Sequence, residues 1–210
     1  LRQLVLTGAD GNSVSEPAAD VAFAFDLDQA KQALAVTRLD AQGSFGAIAV
    51  KEASIPLDKT SSVPMNVGVS ARNVDLRKIT PYAVLFASLP QNLSLQGLAQ
   101  SALTVTGQEG AYRIRTENTR IQDFVLSTPG KKPFAEKQIT AVFDALMNPE
   151  AKTFDVETFT LNSGQIKIDF GQIKQARQGD RIQVQGTVQG ECDWAAVGQL
   201  ASPFLPEGLE

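Results

Sequence analysis

The chain has no histidine, one cysteine and one tryptophan in 210 residues. Without histidine it lacks the commonest general base, the usual catalytic triads and most zinc sites. A single cysteine, Cys192, excludes an intramolecular disulfide and a cysteine-rich metal site. Its neighbour Asp193 opposes thiolate formation, so the thiol reads as structural. Basic residues are not in excess: 19 Lys and Arg stand against 23 Asp and Glu, a net charge of -4. That balance removes the electrostatic footprint of a nucleic-acid binder. No apolar run approaches the roughly 18 to 20 residues of a membrane span, and the opening LRQLVLTGAD lacks the apolar core of a secretion signal.

The remaining openings for catalysis are narrow. Asp26 and Asp28 share one face of a predicted strand, but a solvent-facing edge accounts for them better than a general acid and base. GSFG and GQEG lack the strand-to-helix setting of a phosphate loop and read as turns. Lys131 and Lys132 sit in TPGKKP, another turn. Asn92-Leu93-Ser94 matches a short glycosylation triplet without a context to give it meaning. The sequence therefore points away from an enzyme, with no cofactor and no metal.

What is present is alternation, in a chain that is 43% hydrophobic and long enough to bury a sizeable core. Leu4 and Leu6 before GADGN suggest a short strand and hairpin, and Val14 to Asp20 reads as a loop. Val21, Phe23, Phe25 and Leu27 alternate with Ala and Asp, the period of a half-buried strand. Further strands follow from Leu34, from Phe45 with a bulge expected at Gly46, and from Val63 to Ala71. Leu76, Ile79, Ala83 and Phe86 recur at helical spacing, with Asn73 or Asp75 placed to cap and Thr80-Pro81 offering a second start. Leu89-Pro90 should end that helix. From Leu93 the chain reads as a meander, with hairpins at GQEG and TPGKKP and a turn at NPEAK. Its clearest strand is the last, Ile182 to Val188.

The pattern occurs twice. Asp75 to Gly97 has a counterpart in Asp193 to Leu209, and LAVTRLDAQGSFGAIAV matches FDVETFTLNSGQIKIDF in the placing of apolar residues around a turn. Residues 21–97 form a first copy and 140–210 a truncated second, joined by a meander over 98–139. Residues 1–20 then close a preceding repeat, and the chain is expected to be an excerpt of a longer protein. The fold class is all-β: an elongated, twisted antiparallel sheet of repeated meander units, shaped as a groove, with two short amphipathic helices.

Strands with one apolar face must cover it with something. The faces can meet in a sandwich or closed barrel core, or the sheet can leave its apolar side as a trough for acyl chains. At about 0.8 kcal/mol per buried CH₂, ten methylenes contribute on the order of 8 kcal/mol toward holding a lipid.

Each copy has an Asp opening a short helix and a Leu-Pro pair closing it: Asp75, Leu76, Leu89 and Pro90, then Leu93 to Gly97; and Asp193, Trp194, Phe204, Leu205 and Pro206. This pattern resembles the repeat of the AsmA-like family and its TamB and bridge-like lipid-transfer relatives. The resemblance implies a periplasmic segment, held to the inner membrane by an anchor outside this chain, that helps move phospholipid between membranes or maintain the outer membrane. The groove lining would be Phe23, Phe25, Val63, Met65, Val67, Val69, Ile166, Ile168, Phe170, Ile182, Val184 and Val188. The partners implied are lipid acyl chains and the membrane, and not nucleic acid. The competing expectation is a structural or adhesive module that braces the envelope with a fully self-buried core.

Overall fold

A computed structural model describes residues 4–7, 13–16, 18–58, 61–86, 92–108, 110–178 and 181–204. The fold is the antiparallel all-β one expected from the alternation. A small hairpin, β1 (Leu4–Thr7) with β2 (Ser13–Glu16), comes first. Four strands follow, β3 (Ala19–Asp28), β4 (Ala33–Gly43), β5 (Gly46–Pro56) and β6 (Met65–Asp75), and then helix α1 (Leu76–Phe86). After β7 (Ser94–Gln108) and β8 (Ala111–Ser127), four more strands lead to a second helix. They are β9 (Phe134–Asn148), β10 (Thr153–Asn162), β11 (Ile166–Gln178) and β12 (Arg181–Cys192), before α2 (Trp194–Ala201) and a 3-10 turn at Ser202–Phe204. Strands β3 to β12 each pair with their sequence neighbours in one ten-stranded antiparallel sheet whose edges are β3 and β12. At about 4.8 Å per strand the sheet is roughly 43 Å across.

Local chemistry makes the meander. Asp28 accepts the Lys31 backbone N–H at 3.0 Å, and Asn148 accepts that of Ala151 at 2.9 Å, so both side chains hold tight turns. Three expectations change. The stretch read as a loop before Val21 supplies β2 and the first residues of β3. Gly46 is no bulge; it leaves the Ser44–Phe45 turn at φ +118°, where a Cβ would lie 2.5 Å from the Asn73 carbonyl oxygen. Nor does Pro81 open a second helix, because α1 runs through it while the Thr80 hydroxyl donates to the Leu76 carbonyl at 2.7 Å. The Leu89-Pro90 stop lies outside the described residues.

Several of the bulges in the strands share one backbone shape. Glu52, Asn73, Asn118 and Gln172 have left-handed φ values near +50°, and each sits where the pairing register shifts. All four side chains are exposed. At such a bulge the alternation skips a residue, so same-face neighbours become three apart: Val50 and Ala53, Ala71 and Val74, Phe170 and Ile173.

The enclosed core lies at one end of the sheet, under the helices. Leu93, Phe124, Leu126, Phe134, Ile139, Ile166 and Ala196 are buried together, with Leu76 of α1 and Val197 and Leu200 of α2 packed against them. Phe124 and Phe134 meet edge to face at 6.1 Å. Glu136 is buried beside this core and accepts hydrogen bonds from the Ser163 hydroxyl (2.7 Å) and the backbone N–H groups of Gly164 (3.2 Å) and Gln165 (2.8 Å). The β10–β11 turn is thus fastened to β9.

Candidate functional site

Beyond the helical end, the apolar side chains form rungs across the strands. One rung crosses the whole sheet: Phe23, Leu39, Val50, Val69, Leu103, Thr116, Phe143, Phe159, Phe170 and Val188 are successive cross-strand partners. Thr116 is its only polar member. Phe143, Phe159 and Phe170 make an aromatic ladder within it, with ring centroids 6.3 and 5.5 Å apart. A second rung joins Val67, Val105, Ile114, Ala145, Val156 and, at its bulge, Ile173. A third joins Met65, Gly107, Tyr112, Met147, Phe154, Gln175 and Val184.

The residues next to the full rung define the opposite face. Arg38, Lys51, Thr104, Arg115, Asp144, Thr158 and Thr187 are among its cross-strand partners. There Asp144 accepts from both Arg113 (2.8 Å) and Arg115 (2.9 Å), and Arg113 also donates to Glu157. The hydrogen bond from Arg113 is the main cause that holds the Asp144 carboxyl below its ordinary range, with Arg115 adding to it against the effect of burial. A polar hollow of about 500 Å³ on this face is lined by Arg38, Asp40, Ser70 and Arg72, among others. Water is the natural solvent of this side.

No second layer covers the apolar rungs among the described residues, apart from the helical end. Phe23 and Phe25, stacked at 6.0 Å, are 65% and 58% exposed, and Val184 and Val188 are both 60% exposed. Middle members such as Val69, Phe143 and Phe170 are half-buried by their neighbours in the sheet alone. Among the described residues the edges β3 and β12 do not pair and no second sheet packs on the first, so they form neither a sandwich nor a barrel. The total surface is 13828 Å², against roughly 9,500 Å² expected for a compact chain of 22.5 kDa. At the end away from the helices the face runs into a hollow of about 880 Å³ lined by Pro56, Leu57, Val63, Met65, Tyr112 and Pro149, with Asp58 and Glu150 at its polar margin. The apolar face is closed at one end and concave at the other.

The structure distributes the expected lining residues unevenly. Phe23, Val69, Phe170 and Val188 lie on the full rung, Val67 on the second, and Met65 and Val184 on the third. Phe25 pairs with Val36 beside them, and Val63 lines the hollow just before β6. Ile168 pairs with Leu161 and packs against the enclosed core. Ile166 is only 1% exposed, buried in that core, and is therefore out of reach of a ligand on the face. Ile182 pairs with Arg177, and its side chain lies outside the described residues. The sequence reading did not nominate Leu39, Val50, Leu103, Phe143 or Phe159, which hold the centre of the rung. Their alternation was visible; their alignment depends on the bulges.

Among the described residues no three Cys, Asp or Glu side chains gather as a metal site requires. No described helix is long and apolar enough to cross a membrane. Comparison with family models, with curated proteins and with solved structures returns no match to this chain.

Proposed function

We propose that the uncovered apolar face is a trough for lipid acyl chains, and that the chain is a non-enzymatic, lipid-carrying segment of a cell-envelope protein. The observation that carries this reading is the ten-strand rung from Phe23 to Val188, apolar at nine of its ten positions and covered by no other part of the described chain. A sheet that exposes so much contiguous apolar surface to water is an aggregation liability unless a ligand or partner occupies it. An acyl chain suits a long aliphatic and aromatic surface with few hydrogen-bonding groups, whereas the charged opposite face keeps the sheet in solution. The closed helical end gives a chain terminus a floor, and the hollow at the far end leaves room for a polar headgroup beside Tyr112, Asp58 and Glu150.

The AsmA-like pattern at Asp75 and Asp193 supports placing this activity in the periplasm, in phospholipid movement between membranes or outer-membrane maintenance. A brace with a fully self-buried core accords poorly with Val184 and Val188 60% exposed and Phe23 65% exposed on the same face. The test is native mass spectrometry of the purified chain, then solvent extraction and identification of lipid. Bound phospholipid in stoichiometric amount is expected. Protein that comes out empty and takes up no added fluorescent phospholipid would overturn the reading.

A further inference from the structure

The edges of the sheet differ, and the difference identifies an interaction surface. Strands β6 and β12 hold equivalent places: each leads into an Asp, Asp75 or Asp193, whose carboxylate accepts the N–H two residues on at the start of the following helix and whose backbone N–H reaches the turn two strands back, β4–β5 or β10–β11. β6 has β7 on its far side, while among the described residues no strand pairs with the far side of β12. The open side looks like β6 with its neighbour removed. Val74 is 3% exposed beside β7, but Cys192, in the matching place, is half-exposed. Leu76, which opens α1, packs against the core cluster that includes Leu93, whereas Trp194, which opens α2, is 79% exposed.

We propose that the outer edge of β12 is a strand acceptor, and that its partner is an extended, uncharged polypeptide strand with the alternating pattern of β7. In β7, Val105 and Leu103 lie beside Val67 and Val69 on the apolar face, while Thr104 and Thr106 lie beside Gly68 and Asn66 on the other. The same pattern on β12 sets apolar residues beside Val184 and Val188, and hydroxyl or amide residues beside Gln185, Thr187 and Gln189. An apolar residue ahead of the strand, in the place of Leu93, then covers Trp194. The chemistry of the edge fits. Residues 182–190, IQVQGTVQG, carry no charge and no proline, so nothing on them resists pairing. The opposite edge, β3, carries Asp20, Asp26 and Asp28, the kind of charge that discourages an added strand.

A synthetic peptide of residues 93–108, LSLQGLAQSALTVTGQ, tests this against the full chain, because the peptide has no tryptophan and Trp194 is the only one in the protein. Binding is expected to shift Trp194 emission to the blue and to slow amide exchange along β12 by at least about tenfold, with β3 unaffected. The same peptide carrying Leu103→Pro should do neither, since proline removes a ladder donor. Unchanged emission and exchange at every peptide concentration would overturn the proposal. So would β12 protection that appears without peptide and grows with protein concentration, which would make a second copy of the chain the occupant. Neither readout involves lipid, so an empty trough leaves this result intact.

Discussion

The backbone N–H of Asp193 donates to the carbonyl of Gln165 at 2.9 Å, tying the strand-to-helix junction before α2 to the β10–β11 turn. Asp75 makes the same bond to Phe45 at 2.9 Å before α1. In both places the carboxylate then accepts the N–H two residues on, from Ala195 at 2.8 Å and from Arg77 at 3.0 Å. One aspartate thus serves strand end, turn and helix start together. Replacing Asp193 by Ala should cost about 1 kcal/mol through the lost cap, while Asp193→Asn, which caps equally well, should cost far less. Denaturant melts of the two variants measure the difference.

Glu136 should matter more than its peripheral position in the strand suggests. Its removal takes an acceptor from the Gly164 and Gln165 N–H groups and from the Ser163 hydroxyl, which keeps only its bond to the Ile166 carbonyl. We expect Glu136→Ala to destabilise by about 1–2 kcal/mol, with Glu136→Gln intermediate. Hydrogen exchange at residues 163–165 should accelerate in the Ala variant ahead of global unfolding.

The trough and the enclosed core should separate under mutation. Phe134→Ala removes a ring that is 1% exposed and should cost about 3–5 kcal/mol. Val188→Asp, at a 60% exposed position, should change stability by no more than about 0.5 kcal/mol. Val67→Asp and Val188→Asp should both lose bound phospholipid by mass spectrometry while circular dichroism stays β-rich. Unfolding of Val188→Asp would show that this face is already buried in solution.

Asp144 gives a pH dependence with a definite sign. Arg113 and Arg115 lower its folded-state pKa below the ordinary 3.8. A depressed carboxylate contributes stability that is fully present above the unfolded value and is lost as pH falls through the folded one. Asp144→Asn should therefore be less stable than the parent near neutral pH, and the gap should close only below about pH 3.8. Urea melts of both proteins across the acid range trace it.

Much of the sheet could be read from residue order. Phe23, Phe25 and Leu27 announced a strand with one apolar face, and Asp75 and Asp193 announced helix starts, because alternation and capping are local properties. The rung was harder to see. Phe170 and Ile173 share a face only because Gln172 takes a left-handed turn between them, and Glu52 does the same between Val50 and Ala53. Nothing in the residue type compels Gln or Glu into that conformation, so a three-residue gap in the alternation is the one signal available. Ile166 was misplaced for a different reason: an alternating isoleucine looks alike under a helix and in the open, and α2 decides which.

Those left-handed residues also answer a difficulty that uniform rungs create. Where every second residue is apolar, a strand sliding two places past its neighbour keeps each side chain on its proper face, and hydrophobicity alone barely opposes the error. Asn73 and Asn118 make the slide conspicuous, because asparagine tolerates the left-handed shape better than most residues. Moving β6 by two residues in one direction would bring Ala71 to the place of Asn73, and an alanine forced into that backbone shape loses roughly 1–2 kcal/mol. The bulges act as alignment marks along the strands. They allow a sheet with a near-featureless apolar surface to assemble in one register only.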